Sequence, residues 1–157
     1  MAKELTTIKD NLPGNYLAVQ EQFLQVRAGG QLFGIPVVRV RDVLKPQRVT
    51  RIPLAKPAIE GFMNLRGRIV TVIDLRKRLL MEARPEGQKK MFVVVESEGE
   101  LYCLQVDEVG DTKMMPISSF EKSPENMIAL WKELCRGVFK LEKDLMLVLD
   151  IGNLINF

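Results

Sequence analysis

The sequence predicts an all-β protein built from two small five-stranded barrels that share a hydrophobic interface, with a few short helices. Two observations support this prediction: the chain contains two copies of one pattern, and each copy consists of short strands separated by tight turns. A unit of about sixty residues has too little interior to be very stable alone. The two copies are therefore expected to pack against each other.

The composition is that of an ordinary globular domain. The chain has 157 residues, of which 46% are hydrophobic and 27% charged, and its formal net charge is +3. The basic residues are spread along the chain, whereas a nucleic-acid binder usually has a concentrated basic patch, so we expect no nucleic-acid partner. No apolar run has the length of a transmembrane helix, and the start of the chain lacks the apolar core of a signal peptide. A cytoplasmic location is expected.

The residue types argue against an enzyme. The chain contains no histidine, which excludes histidine-based nucleophile pairs, metal ligands and proton shuttles. Cys103 and Cys135 are far apart and lack metal-ligand spacing, so we interpret them as buried thiols. No acidic residues form a recognisable catalytic pair. We therefore predict a non-catalytic protein without a metal or cofactor, since an enzyme would have to rely on Lys, Asp or Glu alone.

The internal repeat appears at two offsets. Residues 61–75 align without gaps with residues 137–151, at an offset of 76, and keep glycine and aspartate positions in phase. Residues 23–35 align in the same way with residues 92–104, at an offset of 69. The second copy therefore carries additional residues between positions 111 and 137. Such agreement of turn residues indicates a duplication.

Each copy begins with a predicted hairpin. The first strands cover residues 23–27 and 92–96, and each is followed by a turn containing glycine. The return strands cover residues 31–35 and 100–104. Pro36 then ends or kinks the strand, because proline donates no ladder hydrogen bond.

A valine-rich segment follows this hairpin in the first copy. Val37, Val38 and Val40 are expected to form one tight turn before residues 41–44 become extended again. A short helical turn is then expected over residues 57–61, because proline favours the start of a helix and glycine its end. Turns are thus expected to connect the first hairpin of this copy with its second hairpin.

A second hairpin closes each copy. It turns at residues 66–68 in the first copy and at residues 142–144 in the second. Gly67 fits a turn position with positive φ. Asp74 and Asp150 follow the last strands and precede apolar residues, which is typical of an N-cap aspartate that opens a short helix.

The additional residues of the second copy include SPENMIALWKELC. Ser123 followed by proline is a favourable helix start. Met127, Leu130, Trp131 and Leu134 have the spacing of one apolar helix face. We predict an amphipathic helix that starts near Ser123 and buries Trp131, with a surface anchor for a partner as the alternative role of the tryptophan.

Three segments resemble one protein family. Residues 61–79, GFMNLRGRIVTVIDLRKRL, resemble the signature of CheW, the coupling protein of bacterial chemotaxis. Residues 33–61 resemble the segment that precedes this signature, and residues 146–157 resemble the closing strand and helix. The chain departs from the family at Thr71, where proline is usual, and at Asp42, where glutamate is usual.

The resemblance implies a fold and an organisation. It implies two intertwined SH3-like barrels and a CheW-like domain over residues 21–157. Residues 1–20 precede the repeat and contain the turn residues NLPGN, so we expect a partly ordered N-terminal arm there. The barrels would cover roughly residues 21–80 and 90–157 and exchange strands. It also implies a cytoplasmic adaptor, associated with membrane-bound receptor arrays, that binds the tip of chemoreceptors and the regulatory domain of the histidine kinase CheA.

The resemblance implies two binding surfaces. One of them, the kinase-binding surface, has further support, because any barrel geometry turns at least one valine of the valine-rich segment outward. The kinase-binding candidates are Val37, Val38, Val40 and Asp42. The receptor-binding candidates are Gly61, Asn64, Leu65, Arg66, Gly67, Phe92 and Val93. Asp42 is a plausible ion-pair partner for Arg66, and Gly61 and Gly67 are expected to serve the backbone. Arg76 and Arg78 are expected to be solvated.

Two alternatives remain open. The departures at Thr71 and Asp42 leave room for an adaptor of a sibling chemosensory pathway that controls pilus motility or development. A small β-barrel that binds nucleic acid or a small ligand is the alternative from another class. It requires a basic groove with stacked aromatic residues, whereas only 6% of residues are aromatic and Phe23, Phe33 and Phe92 lie in strand cores.

Overall fold

The computed structural model describes residues 19–157, so the arm predicted over residues 1–20 lies almost entirely outside the described residues. Within that range, none of the helices is long and apolar enough to span a membrane. The strands are β1 (Gln20–Ala28), β2 (Gln31–Pro36), β3 (Val40–Leu44), β4 (Ile59–Leu65), β5 (Arg68–Asp74), β6 (Met91–Ser97), β7 (Glu100–Val106), β8 (Glu108–Pro116), β9 (Phe120–Glu121), β10 (Cys135–Lys140) and β11 (Leu145–Leu149). The α-helices are α1 (Leu75–Arg78), α2 (Ala129–Leu134) and α3 (Ile151–Ile155).

The strands form two sheets, and each sheet mixes strands from both halves of the chain. The five-stranded sheet has the order β3-β6-β7-β5-β4, and the six-stranded sheet has the order β8-β1-β2-β11-β10-β9. Strands β6 and β7 thus join three strands of the first half, while β1 and β2 join four strands of the second half. The predicted fold class, all-β with two intertwined barrels, is confirmed. The second sheet has six strands rather than the predicted five, because the two-residue strand β9 is added at its edge. We call the two units the five-stranded barrel and the six-stranded barrel.

The duplication is visible in the hydrogen-bond pattern. Strand β5 pairs in parallel with β7, and β11 pairs in parallel with β2. The β4–β5 ladder shifts register between Ile59 and Gly61, and the β10–β11 ladder shifts between Cys135 and Gly137. These positions are related by the offset of 76 found in the sequence, so both ladders shift register at corresponding residues of the two copies.

The core has three clusters, one in each barrel and a larger one between them. Strand β6 contributes to two of them: Phe92 and Val94 lie inside the five-stranded barrel, whereas Val93 and Val95 lie in the shared cluster. Successive side chains of a strand point to opposite faces, so β6 is buried on both faces. This double burial explains its unbroken apolar run.

Several local predictions are confirmed. Strand β2 ends at Pro36, and a single turn of 3-10 helix covers Val37–Arg39 before β3 begins. Asp74 caps α1 by accepting the backbone N–H of Arg76 at 3.2 Å. Asp150 caps α3 in the same manner. Local turn and cap chemistry therefore determines most element boundaries.

The helical turn predicted over residues 57–61 is absent, and strand β4 begins at Ile59 instead. Gly61 has φ 145° and lies against another backbone segment, because a Cβ atom built there would be 2.0 Å from the carbonyl oxygen of Thr50. Backbone hydrogen bonds between Thr50 and Phe62, 2.8 Å in both directions, hold the two segments together. The glycine serves close backbone approach rather than a helix end.

The helix of the inserted segment begins at Ala129 rather than near Ser123. A turn precedes it, in which the backbone N–H of Met127 donates to the carbonyl of Pro124 at 3.1 Å. Trp131 is half-buried: its ring centre is 5.9 Å from that of Phe33, and its indole N–H donates to the carbonyl of Leu79 at 2.8 Å. Tertiary packing, rather than helix propensity, therefore stabilises this six-residue helix.

Candidate partner-binding site

An ion pair joins the two predicted binding surfaces. The Arg66 Nη2 atom is 3.3 Å from Asp42 Oδ2, as predicted from the sequence. The side chains are 80% and 30% exposed, respectively, so such a pair contributes only about 0–1 kcal/mol of stability. The pair connects β3 with the β4–β5 turn, and both of these belong to the five-stranded barrel.

The β4–β5 turn has an ordered backbone at Arg66. Arg66 and Gly67 have φ values of 51° and 85°, which is the pattern of a type I′ hairpin turn. The side chain of Asn64 accepts the backbone N–H of Gly67 at 2.8 Å. The positive φ predicted for Gly67 is confirmed. The turn thus presents Arg66 from an ordered backbone.

The receptor-binding candidates differ in exposure. Asn64, Arg66 and Gly67 are exposed and Leu65 is half-buried; these four residues form what we call the hairpin surface. Gly61 is buried. Phe92 and Val93 have no exposed surface, so neither side chain contacts a partner in this conformation. These three residues are corrected from contacts to structural roles: Gly61 allows a close backbone approach, Phe92 packs inside the five-stranded barrel, and Val93 packs in the shared cluster.

The kinase-binding candidates form a more apolar surface, which we call the valine surface: Val37, Val38, Val40 and Asp42. Val38 is 72% exposed, while the other two valines are half-buried and pack against the shared core cluster. Asp42 accepts the backbone N–H of Val43 at 2.9 Å. Exposed Val43 extends the surface and was missed in the sequence. Apolar side chains bordered by charged ones are typical of protein interfaces; Arg41 and Asp42 on β3 are the charged neighbours here.

The aromatic residues do not support the nucleic-acid alternative. Phe23, Phe33 and Phe92 are fully buried. Stacking with bases requires an exposed ring face, and these three rings offer none. The prediction that they lie in strand cores is confirmed.

The structure also contains a buried charge cluster that was not predicted from the sequence. Arg76 contacts Asp107 in a forked arrangement, with Nη2–Oδ2 at 2.6 Å and Nε–Oδ1 at 3.0 Å. Arg84 binds the same carboxylate at 2.8 Å and reaches Asp74 at 3.4 Å. Arg76 is therefore not solvated as expected: its side chain is 8% exposed.

Arg78 is also less solvated than expected. Its Nε atom donates to the carbonyl of Leu154 at 2.7 Å, and its guanidinium lies 4.8 Å from the ring centre of Phe157. This arginine therefore ties α1 to the end of the chain. Its side chain covers apolar surface while its charged group is hydrogen-bonded.

The charge cluster shifts the pKa values of its two carboxylates in opposite directions. Burial alone would raise the pKa of Asp107, but hydrogen bonds from Arg76, the N–H of Gly29 and Arg84 outweigh it and lower the pKa. Burial raises the pKa of Asp74, against the opposing effect of Arg84. Asp107 is therefore the ionised centre of the cluster.

The two cysteines are unreactive in this fold. Burial raises the pKa of both Cys103 and Cys135 to about 12, so their thiolate fraction at neutral pH is very small. Among residues 19–157, no group of His, Cys, Asp or Glu side chains has the arrangement of a metal site. The interpretation of the cysteines as buried thiols is confirmed.

Comparisons with known proteins agree with this architecture. A family model described as "CheW-like domain" matches residues 22–157. "Chemotaxis protein CheW" of Klebsiella aerogenes is 27% identical over 138 residues, which cover 88% of this chain and 83% of that protein. "Protein PilI" of Pseudomonas aeruginosa is 32% identical over 133 residues, which cover 84% and 75%.

A solved structure shows the same fold. It is the scaffolding protein TtCheW from Thermoanaerobacter tengcongensis, which superimposes with a TM-score of 0.80 at 26% identity. The match covers 88% of this chain and 94% of that one. The two intertwined barrels are therefore shared over nearly the whole length of both proteins.

Proposed function

Because this chain belongs to the CheW family, we propose that it couples the tips of chemoreceptors to the regulatory domain of a CheA-type histidine kinase. It is a chemotaxis adaptor, a member of a scaffold family. The observation that supports the proposed coupling is the pair between Arg66 and Asp42, which places the hairpin surface beside the valine surface. One rigid barrel thus offers two adjacent docking areas.

The mechanism is positional. The valine surface binds the kinase domain through apolar contact, and the hairpin surface binds the receptor tip through the exposed side chains around Arg66. Beside these areas, Phe92 packs inside the five-stranded barrel and Val93 packs in the cluster between the barrels. A rearrangement of the receptor then reaches the kinase through a barrel whose core is too tightly packed to absorb it. In the cell, the adaptor is held at receptor arrays by these contacts.

Replacing Arg66 with alanine should uncouple receptor from kinase while the fold is kept. The side chain is 80% exposed, so the loss of stability should stay below about 1 kcal/mol. Kinase autophosphorylation in a reconstituted mixture of receptor, kinase and adaptor should lose its dependence on the receptor. Arg68→Ala, an exposed neighbour across the same turn, is the control. An unfolded Arg66→Ala variant, or one that activates the kinase fully, would contradict the proposal.

The substitution Asp42→Lys should weaken binding to the isolated kinase regulatory domain about tenfold, because it reverses a charge at the edge of the valine surface. The circular dichroism spectrum should not change. Asp111 is the equivalent residue in the second copy and is exposed on β8, so Asp111→Lys provides a control with the same charge change. Equal losses of affinity in both variants, measured by calorimetry, would show that Asp42 has no specific role.

A second candidate pathway follows from the similarity to Protein PilI. It is a sibling chemosensory system, such as one that controls pilus motility or development, and the departures at Thr71 and Asp42 are compatible with it. Purification of the adaptor from its own cells, with identification of the kinase that accompanies it, separates the two pathways. The receptor-kinase coupling itself is common to both.

A further inference from the structure

The loop between β3 and β4, residues 45–58, concentrates positive charge. It contains Lys45, Arg48, Arg51 and Lys56, all exposed, and no acidic residue. These four charges exceed the net charge of +3 of the entire chain. None of the four forms an ion pair with a carboxylate in the described part of the chain; Lys56 instead lies 5.5 Å from the ring centre of Phe157.

The same loop exposes a leucine in an unfavourable backbone conformation. Ile52, Pro53, Leu54 and Ala55 form a turn closed by a hydrogen bond from Ala55 N–H to the Ile52 carbonyl at 3.3 Å. Leu54 has φ 62°, at a turn position where glycine is preferred. Its side chain is fully exposed. Leu54 therefore adds backbone strain, and its side chain gains no packing within the chain.

The turn is held by an ordered frame. Thr50 forms its two backbone hydrogen bonds with Phe62 on β4, and the backbone N–H of Ile59 donates to Lys56 at 2.9 Å. Leu54 and the surrounding cations are thus presented from fixed backbone. If these residues were only a solvated run of charges, neither the backbone hydrogen bonds nor the exposed Leu54 would be required.

We propose that this loop, residues 45–58, is a docking surface for an acidic protein segment that places an apolar side chain against Leu54. Arginine guanidinium groups match carboxylates in geometry and charge, and Leu54 supplies the apolar contact. A nucleic acid fits less well, because the loop has no aromatic residue for stacking. A lipid surface fits less well, because Leu54 and the partly exposed Ile52 are the loop's main apolar anchors. This third surface goes beyond the proposed coupling surfaces and does not depend on them.

The test uses the full chain and a fluorescently labelled peptide of Asp, Glu and Leu residues, with binding followed by anisotropy. The peptide should bind, and added salt should weaken the binding. A peptide with serine in place of leucine should bind less well, and a peptide with lysine in place of the acids should not bind. Vesicles of phosphatidylserine and phosphatidylcholine, and a single-stranded RNA, test the other two partner classes.

Matched variants separate docking from folding. Leu54→Gly should weaken peptide binding about fivefold without loss of stability, because glycine suits the positive φ. Leu80→Gly is the control, since Leu80 is also 80% exposed with φ 55° but lies outside the loop. Replacing Arg48 and Arg51 together with glutamate should weaken binding about tenfold, whereas Lys143→Glu should not.

Three outcomes would overturn the proposal. The first is the absence of peptide binding, and the second is binding that Leu54→Gly leaves unchanged. The third is tighter binding to the vesicles or to the RNA than to the peptide, which would assign the loop to a different class of partner. Binding to the acidic peptide that depends on both Leu54 and the two arginines supports it.

Discussion

Replacing Asp107 with alanine is expected to lower the free energy of unfolding by about 3–5 kcal/mol, since it leaves buried guanidinium groups without their counter-ion. Arg76 makes its forked contact with this carboxylate, and Arg84 binds it from the other side. The backbone N–H of Gly29 also loses its acceptor, 2.8 Å away. Urea unfolding followed by circular dichroism measures the loss.

A second ion pair of the chain provides a control, because it differs from the Asp107 cluster mainly in burial. Arg27 and Asp144 also form an ion pair of 2.6 Å, but their side chains are 39% and 32% exposed. Asp144→Ala should therefore cost only about 1 kcal/mol or less. If Asp144→Ala and Asp107→Ala destabilised the protein equally, burial would not be the source of the effect.

The same cluster should make the protein sensitive to acid. The pKa of Asp107 is lower in the folded protein than its ordinary value of 3.8, so the unfolded chain takes up the proton at a higher pH than the folded one. The stability contributed by Asp107 is complete above pH 3.8 and is lost as the pH falls through the lowered pKa. Asp107→Asn should remove this part of the pH dependence. The raised pKa of Asp74 gives a pH dependence of stability with the opposite sign.

The charge cluster also bears on coupling. Asp107 lies between β7 of the five-stranded barrel and β8 of the six-stranded barrel, and Arg76 belongs to α1, which follows β5. Arg76 Nη1 additionally donates to the carbonyl of Glu82 at 3.1 Å, in the segment that connects the two halves of the chain. The cluster therefore fixes the connecting segment against both barrels. The rigid-body coupling that we propose above requires such a joint.

The sequence predicts well what local chemistry determines. Turn glycines and cap aspartates predict the hairpins and the caps of α1 and α3, because each acts within a few residues. The duplication is predicted from the repeats at offsets of 69 and 76. The pair between Arg66 and Asp42 was also anticipated, although the two residues are 24 positions apart. In that case the duplicated pattern and the family resemblance predicted that the turn and β3 belong to one barrel.

The sequence fails where distant segments decide the outcome. Arg76 lies among charged neighbours and resembles a surface residue, but its partner Asp107 is 31 positions away. Ser123 followed by proline is a good local start, yet the helix begins only at Ala129, and its residues Leu130, Trp131 and Leu134 pack in or against the core. Local propensity is a weak guide when tertiary contacts compete with it.

The candidate site shows the same limit. The resemblance assigned Phe92 and Val93 to the receptor surface, but β6 is the second strand of its sheet and both of its faces are covered. Alternation, the usual sign of a half-exposed strand, is missing in this run. The unbroken apolar run was therefore the available signal that these residues lie inside the protein.

Gly61→Ala is expected to lower the free energy of unfolding by about 3 kcal/mol, because overpacking adds to an unfavourable φ. The new Cβ would be 2.0 Å from the carbonyl oxygen of Thr50 and 2.7 Å from its carbonyl carbon, and Gly61 has φ 145°. A backbone neighbour cannot move aside as a flexible side chain does, so β4 and the β3–β4 loop must separate. Chemical denaturation of the variant measures the loss of stability.

The control is Gly67→Ala. Gly67 also has a positive φ, 85°, but no atom lies within 4 Å of a Cβ built there, so only the conformational cost of about 1–2 kcal/mol remains. The difference between the two variants isolates the contact with Thr50. Because the Thr50–Phe62 hydrogen bonds hold β4 just before the hairpin surface, Gly61→Ala should also weaken receptor coupling at temperatures where the protein is still folded. Equal stability of the two variants would mean that the backbone segments separate without cost, and that Gly61 is not required for their approach.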